Sequence, residues 1–246
     1  MAARILQLSF SLLLGLLPMV VHAQDPVDDE EDSVVVTYKK PDSLKEKVYL
    51  RSVRFGTDIL ALILSSSSKF SGWEANVDAD FGRFYLAADY GAWSKKDVVA
   101  SGGDYSNTGT YWRFGADVNI LKKDPDRNML FFGLRYARSS FSETMNVTTT
   151  DPYFGNRQYQ VNNPAASAVW GVLVSGFRIK VWKEFWMGFT SRLKFAMTSK
   201  GTPDFPAFDI PGFGVVGKGM NWGFNYQIFW RIPFEKQKKP TTVILK

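Results

Sequence analysis

The chain contains no cysteine among its 246 residues. Disulfides, thiolate-bound metals and lipid attachment through an N-terminal cysteine are thereby excluded. Histidine is nearly as scarce: His22 is the only one, and it falls in a segment that reads as a cleavable leader. Without it the remaining chain lacks the usual general base, the partner of an activated nucleophile and the commonest metal ligand. No Walker-type or dinucleotide-binding glycine motif occurs. Beyond the leader there is no uncharged apolar run of about 18 residues or more, so no membrane helix is expected there. The net charge of +6 is small and dispersed, which argues against a nucleic-acid partner.

What the chain does contain is apolar and aromatic matter spread thinly. It is 45% hydrophobic and 15% aromatic, yet its mean hydropathy is −0.15. Such a balance arises when apolar residues alternate with polar ones, as in strands. At the N-terminus Arg4 precedes an apolar core over residues 5–21, and "VHA" ending at Ala23 supplies a small-residue cleavage site, so residues 1–23 are expected to be a secretory signal peptide. Residues 24–47 read as an acidic linker, 48–234 as one domain and 235–246 as a basic tail. Asp32-Ser33-Val34 and Asp42-Ser43-Leu44 in the linker resemble the Asp-Ser-aliphatic acceptor of bacterial O-glycosylation.

From Tyr49 onward the hydrophobic period is two, the signature of strands whose faces meet different media. Trp73, Ala75, Val77, Ala79 and Phe81 alternate without a break against Glu74, Asn76, Asp78 and Asp80. In the last strand Met220, Trp222, Phe224, Tyr226, Ile228, Trp230, Ile232 and Phe234 alternate with Asn221, Gly223, Asn225, Gln227 and Arg231; Phe229 alone breaks the polar set and is expected to fill the interior. Eight such segments can be drawn, an even number as bacterial outer-membrane barrels require. Short connections at Gly82-Arg83, at "KKDPDR" and at Lys183-Glu184 alternate with long ones at "SSSSKFSG" and at residues 94–109, 142–166 and 199–219. That is the loop pattern of an up-and-down membrane barrel. The tryptophans fall near strand ends, with Trp73, Trp93, Trp112, Trp170 and Trp222 toward long connections and Trp182, Trp186 and Trp230 toward short ones, as two interfacial girdles would.

In this architecture the chain resembles the small eight-stranded outer-membrane barrels of the OmpA and OmpX type, and an uncharacterised outer-membrane barrel family of Bacteroidota. The likeness covers residues 48–234 and includes a last strand ending in Phe234, although "EKQKKPTTVILK" follows it. The resemblance implies an all-β, eight-stranded antiparallel transmembrane β-barrel of meander topology, with periplasmic termini, in the outer membrane.

The polar face then lines the lumen. Asp58, Glu74, Asp78, Asp80, Asp89 and Asp117 come from the first half, and Arg135, Arg178, Lys180, Arg192, Lys194 and Arg231 from the second, with Arg54 and Arg113 as exceptions. Buried charges persist when paired, so a salt-bridge network is expected, with a narrow pore for small polar solutes as the alternative. Asp78 and Asp80 share a face as an acid/base pair would, but the lumen cations favour ion pairing. No enzyme activity, cofactor or metal is expected. Phe205, Phe208, Ile210 and Phe213, among prolines and glycines in residues 201–219, form a candidate interaction loop that either folds over the barrel mouth or docks another protein; "DPYFGNRQY" (residues 151–159) joins that surface. Expected partners are outer-membrane lipid and outer-membrane proteins or lipoproteins, met through the loops or the terminal extensions. The expected role is structural or interactive, as in an accessory subunit of a larger assembly.

Overall fold

The computed structural model describes residues 49–234, apart from 101, 102, 122, 123, 125, 152, 154, 204 and 218. The chain divides into two units, Met1–Glu46 and Lys47–Lys246. The signal peptide, the acidic linker with its two tripeptides and the basic tail all lie outside the described residues.

Strands β1 (Ser52–Asp58), β2 (Phe70–Asp80), β3 (Phe84–Ala100), β4 (Gly103–Asn119), β5 (Met129–Asp151), β6 (Gly155–Trp182) and β7 (Phe185–Lys200) follow in order. A short helix α1 (Ile59–Leu64) separates β1 from β2. After β7 come a small ribbon of β8 (Asp209–Ile210) with β9 (Gly214–Val215), then β10 (Asn221–Pro233). Eight strands close a barrel in the order β1-β10-β7-β6-β5-β4-β3-β2, and every neighbouring pair is antiparallel. The expected meander is therefore present, with the ribbon inserted before its last strand.

The barrel is built inside out. Phe55, Phe84, Phe114, Phe132, Leu134 and Phe224 are exposed, whereas Arg54, Asp78, Asp89, Arg113, Asp117 and Arg135 are buried. Water would not tolerate a continuous apolar belt of this size. Hydrocarbon would, because closure of the sheet pairs the backbone around the ring. Trp73, Trp112, Trp182, Trp222 and Trp230 stand on the outer face. Trp170 and Trp186 are buried inside, and Trp93 packs partly buried against the lumen core. The expectation that all eight tryptophans form girdles is corrected accordingly. Trp93 shares strand parity with Asp89, Trp170 with Arg178 and Trp186 with Arg192, so the pleat itself turns these three inward.

Two expected loops are strand. Residues 94–109 belong to the β3–β4 hairpin and 142–166 to the β5–β6 hairpin. Their Thr, Ser, Asn and Tyr side chains alternate too, but both faces are polar, so the pattern carries no hydrophobic signal although β-branched residues favour the extended backbone. On β5 the outward row runs Leu130, Phe132, Leu134 and Tyr136, then Arg138, Ser140, Ser142 and Thr144. The apolar belt ends at Tyr136, and the hairpin continues beyond it. At the opposite end the turns are tight. Gly82 takes φ +93°, a conformation costly for other residues, and its amide donates to Asp80 Oδ1 at 2.7 Å.

Candidate functional site

The lumen holds an alternating chain of acids and bases. Asp78 on β2 accepts from Arg54 Nε of β1 at 2.7 Å and also pairs with Arg178 of β6. Arg178 reaches Asp117 of β4 at 4.0 Å, and Asp117 accepts from Arg135 of β5 at 2.8 Å. Arg135 in turn donates to Asp89 of β3 at 2.6 Å. Asp89 also meets Arg113 Nε at 3.0 Å and Arg192 at 3.4 Å. Both of those arginines pair with Glu74 of β2, Arg192 at 2.9 Å. Arg54, Arg113, Arg135, Arg178 and Arg192 thus interleave with Glu74, Asp78, Asp89 and Asp117, and seven of the eight barrel strands contribute.

Aromatic rings complete the packing. The Arg54 guanidinium lies 4.8 Å from the Tyr85 ring and 5.4 Å from that of Trp186. Arg178 sits 4.9 Å from the Phe131 ring and 4.6 Å from the Phe229 ring, the geometry of cation–π attraction. Phe229 fills the lumen over Gly56, where an added Cβ would stand 2.3 Å from its ring.

Other expected lumen residues face inward but stand apart from this chain. Asp58 caps α1 by accepting from the Leu60 amide at 3.0 Å, and it also accepts from Asn225. Asp80 accepts from the Ser52 hydroxyl at 3.2 Å. Arg231 donates to Ser52 at 3.0 Å and meets Glu184 at 3.5 Å. Lys194 donates to the Phe213 carbonyl at 2.9 Å and pairs with no carboxylate among the described residues. Lys180 reaches Asp126 at 3.6 Å, at the short-turn end.

The candidate interaction loop is a plug. Ile210 is 0% exposed, Phe205 and Phe213 are also buried, and Phe208 meets the Tyr105 ring edge-on at 5.0 Å. Phe213 packs edge-on against Trp170 at 5.6 Å. Of the two expected arrangements the loop takes the first, folding over the barrel mouth: Phe205, Ile210 and Phe213 are turned away from any partner, and Phe208 is half-buried. Their burial has a simple cause: the wide mouth of the strands presents Tyr105, Tyr111, Phe141 and Trp170 as an apolar cup. Polar latches hold the loop. Asn107 donates to the Asp209 carbonyl at 2.6 Å, and Lys95 pairs with the Asp209 carboxylate. Glu143 accepts from the Tyr105 hydroxyl at 2.7 Å and from the Phe208 amide at 3.1 Å. Burial and the Glu143 carboxylate push the Tyr105 phenol well above its ordinary range, keeping it a donor.

Glu143, Asp209, Lys95 and Asn107 were not among the residues the sequence singled out. For Lys95, Asn107 and Glu143 the only signal was parity on strands whose outer halves looked like loops; Asp209, in the plug ribbon, had none. With a paired lumen below and a latched plug above, side chains fill the described interior away from the wall between β2 and β10, as an eight-stranded ring permits.

These features define a membrane-spanning β-barrel with a filled lumen. The chain belongs to the family described as a domain of unknown function, DUF6048, which matches residues 5–237. No curated protein matches it. Among solved structures it is similar to neisserial surface protein A (NspA), with 10% identity, coverage of 74% of this chain and 95% of that one, and a TM-score of 0.36. It is also similar to CarO of Acinetobacter baumannii, with 13% identity, coverage of 76% and 98%, and a TM-score of 0.36.

Proposed function

We propose that this chain is an integral outer-membrane barrel with a non-enzymatic role, serving as an accessory subunit that presents its β5–β6 hairpin to a protein partner. The observation that carries this reading is strand length. β5 has 23 residues and β6 has 28, against about 9–11 needed to cross a bilayer. From Ala137 to the end of β5 the surplus corresponds to about 50 Å of extended chain at roughly 3.3 Å per residue. Along residues 156–166 β6 pairs only with β5, since its pairing with β7 starts at Ser167. Gln158, Tyr159, Gln160 and Asn162 on that segment are exposed. A long free strand edge is a template for strand addition. The filled lumen favours a closed barrel over a conducting one.

Site-specific photocrosslinking in native membranes tests the role. A crosslinker at Gln160 should capture a discrete protein, and one at lipid-facing Phe132 should not. An uncrosslinked monomer at Gln160 under those conditions would sink the subunit reading. Planar bilayer recordings should show no channel steps; regular steps would favour a pore.

A further inference from the structure

The barrel wall has a gap. β1 is short: its pairing with β10 stops at Asp58↔Gln227, and its pairing with β2 stops at Thr57↔Ala75. Beyond those points residues 70–74 of β2 pair only with β3, and residues 221–226 of β10 pair only with β7. No strand spans the space between them. The segment with α1 stands there instead, tied to β10 through its cap, Asp58, which accepts from Asn225, and to β2 beyond that point. The Ser65 hydroxyl accepts from the Gly72 amide at 2.7 Å, and Thr57 Oγ1 donates to the Glu74 carbonyl at 2.8 Å. Among the described residues no hydrogen bond joins residues 59–65 to β10.

A cavity of about 630 Å³ occupies this gap. Its lining mixes residues from the two faces of the wall, which an unbroken sheet would keep apart. Trp73, Trp222 and Phe224 belong to the lipid face, whereas Arg192 and Lys194 are buried in the lumen. Leu62, Ile63 and Leu64 on the covering helix are exposed apolar groups, so the gap lies at the level of the belt.

The polar floor is unevenly satisfied. Asp58 and Glu74 also line the cavity, but Asp58 is held by Leu60 and Asn225, and Glu74 by Arg113, Arg192, Tyr111 and Asn76. Lys194 has only a backbone carbonyl, and Arg192 Nε is buried without a hydrogen-bond partner. Gly223 lies against the lysine: a Cβ there would be 3.0 Å from Lys194 Nζ. An uncompensated buried ammonium is costly, and an anion beside it would relieve that cost.

Resting on the membrane reading of the barrel, we infer that the gap between β2 and β10 is a lateral portal for an anionic single-chain or two-chain amphiphile from the surrounding leaflet. Its phosphate or carboxylate meets Lys194 and Arg192, and its acyl chain leaves past Ala61 and Leu64 between Trp73 and Trp222. The volume lies within the roughly 300–1,000 Å³ of small-molecule pockets, enough for a head group and part of a chain.

Native mass spectrometry of the full chain, folded in neutral detergent and offered dodecyl phosphate, tests this. One dodecyl phosphate should be retained per chain. Lys194→Gln should weaken retention about tenfold or more, the scale of a lost charged hydrogen bond. Ala61→Trp, which fills the portal and leaves the floor intact, should weaken it as well. Neutral dodecyl maltoside retained as well as dodecyl phosphate would overturn the anionic floor. Inorganic phosphate retained equally well would overturn the lateral route, because an aqueous anion needs no acyl exit. Wild-type retention by both variants would overturn the site. Vesicle insertion is measured on the same preparations. A chain that inserts but retains no dodecyl phosphate refutes the portal alone, and a chain that does not insert refutes the membrane reading on which it rests.

Discussion

Asp89 meets three arginines, more than any other acid of the lumen chain, and its removal is the sharpest test of the ion pairing. It accepts from Arg135 at 2.6 Å, Asn76 at 2.7 Å, Arg113 at 3.0 Å and Arg192 at 3.4 Å. Asp89→Asn preserves the shape but removes the charge, and it turns an amide donor toward a ring of donors. The guanidiniums stay buried with fewer counter-charges. Breaking a buried pair from one side costs about 3–5 kcal/mol, which is roughly two to three and a half decades in the folding equilibrium. Urea titration of the barrel in phospholipid vesicles, read by tryptophan fluorescence and gel mobility, gives the free energy; the slope with urea should not change. Asp104→Asn is the control, since Asp104 is exposed on β4 and surface changes usually stay within about 0.5 kcal/mol. If Asp89→Asn matches that control, the lumen charges are solvated and the argument for a filled, paired interior fails.

Other perturbations have equally definite outcomes. Phe229→Ala should cost about 3–5 kcal/mol by opening a lumen cavity, and in the same titration Gly56→Val should be less harmful when combined with it, because part of its clash is with that ring, while the clash with the Ile228 carbonyl at 2.6 Å persists. Ile210→Asp should release the plug from the barrel mouth, read as faster limited proteolysis between Lys200 and Met220, with the barrel strands still protected. Tyr105→Phe should loosen the same plug more gently, by about 1–3 kcal/mol for a buried carboxylate oxygen that loses a donor; hydrogen exchange at the Phe208 amide reports it.

Much of the barrel could be read from parity. The lipid-facing row of β10 and the acid–base division of the lumen both follow from a period of two. The same rule placed Trp170 and Trp186 inside, yet proximity to strand ends had grouped them with the girdles. The hairpins of β3–β4 and β5–β6 were hidden because neither face is apolar beyond the belt. α1 was hidden for another reason: six apolar residues are too few to separate helix from strand by pattern. For Phe205, Ile210 and Phe213 the sequence permits either a plug or a docking loop, since only the apolar cup at the mouth decides between them. Asp209 and Glu143 act as latches through contacts far apart in sequence, which no local spacing encodes.

The central claim is that the exposed apolar belt faces lipid. Phe114 stands in it, 54% exposed on β4. The most direct measurement is the unfolding free energy of Phe114→Arg against wild type in phospholipid vesicles. A lipid-facing site predicts a loss of roughly 2–4 kcal/mol. An unchanged or improved free energy would mean that the belt meets water, and the inside-out barrel would be contradicted.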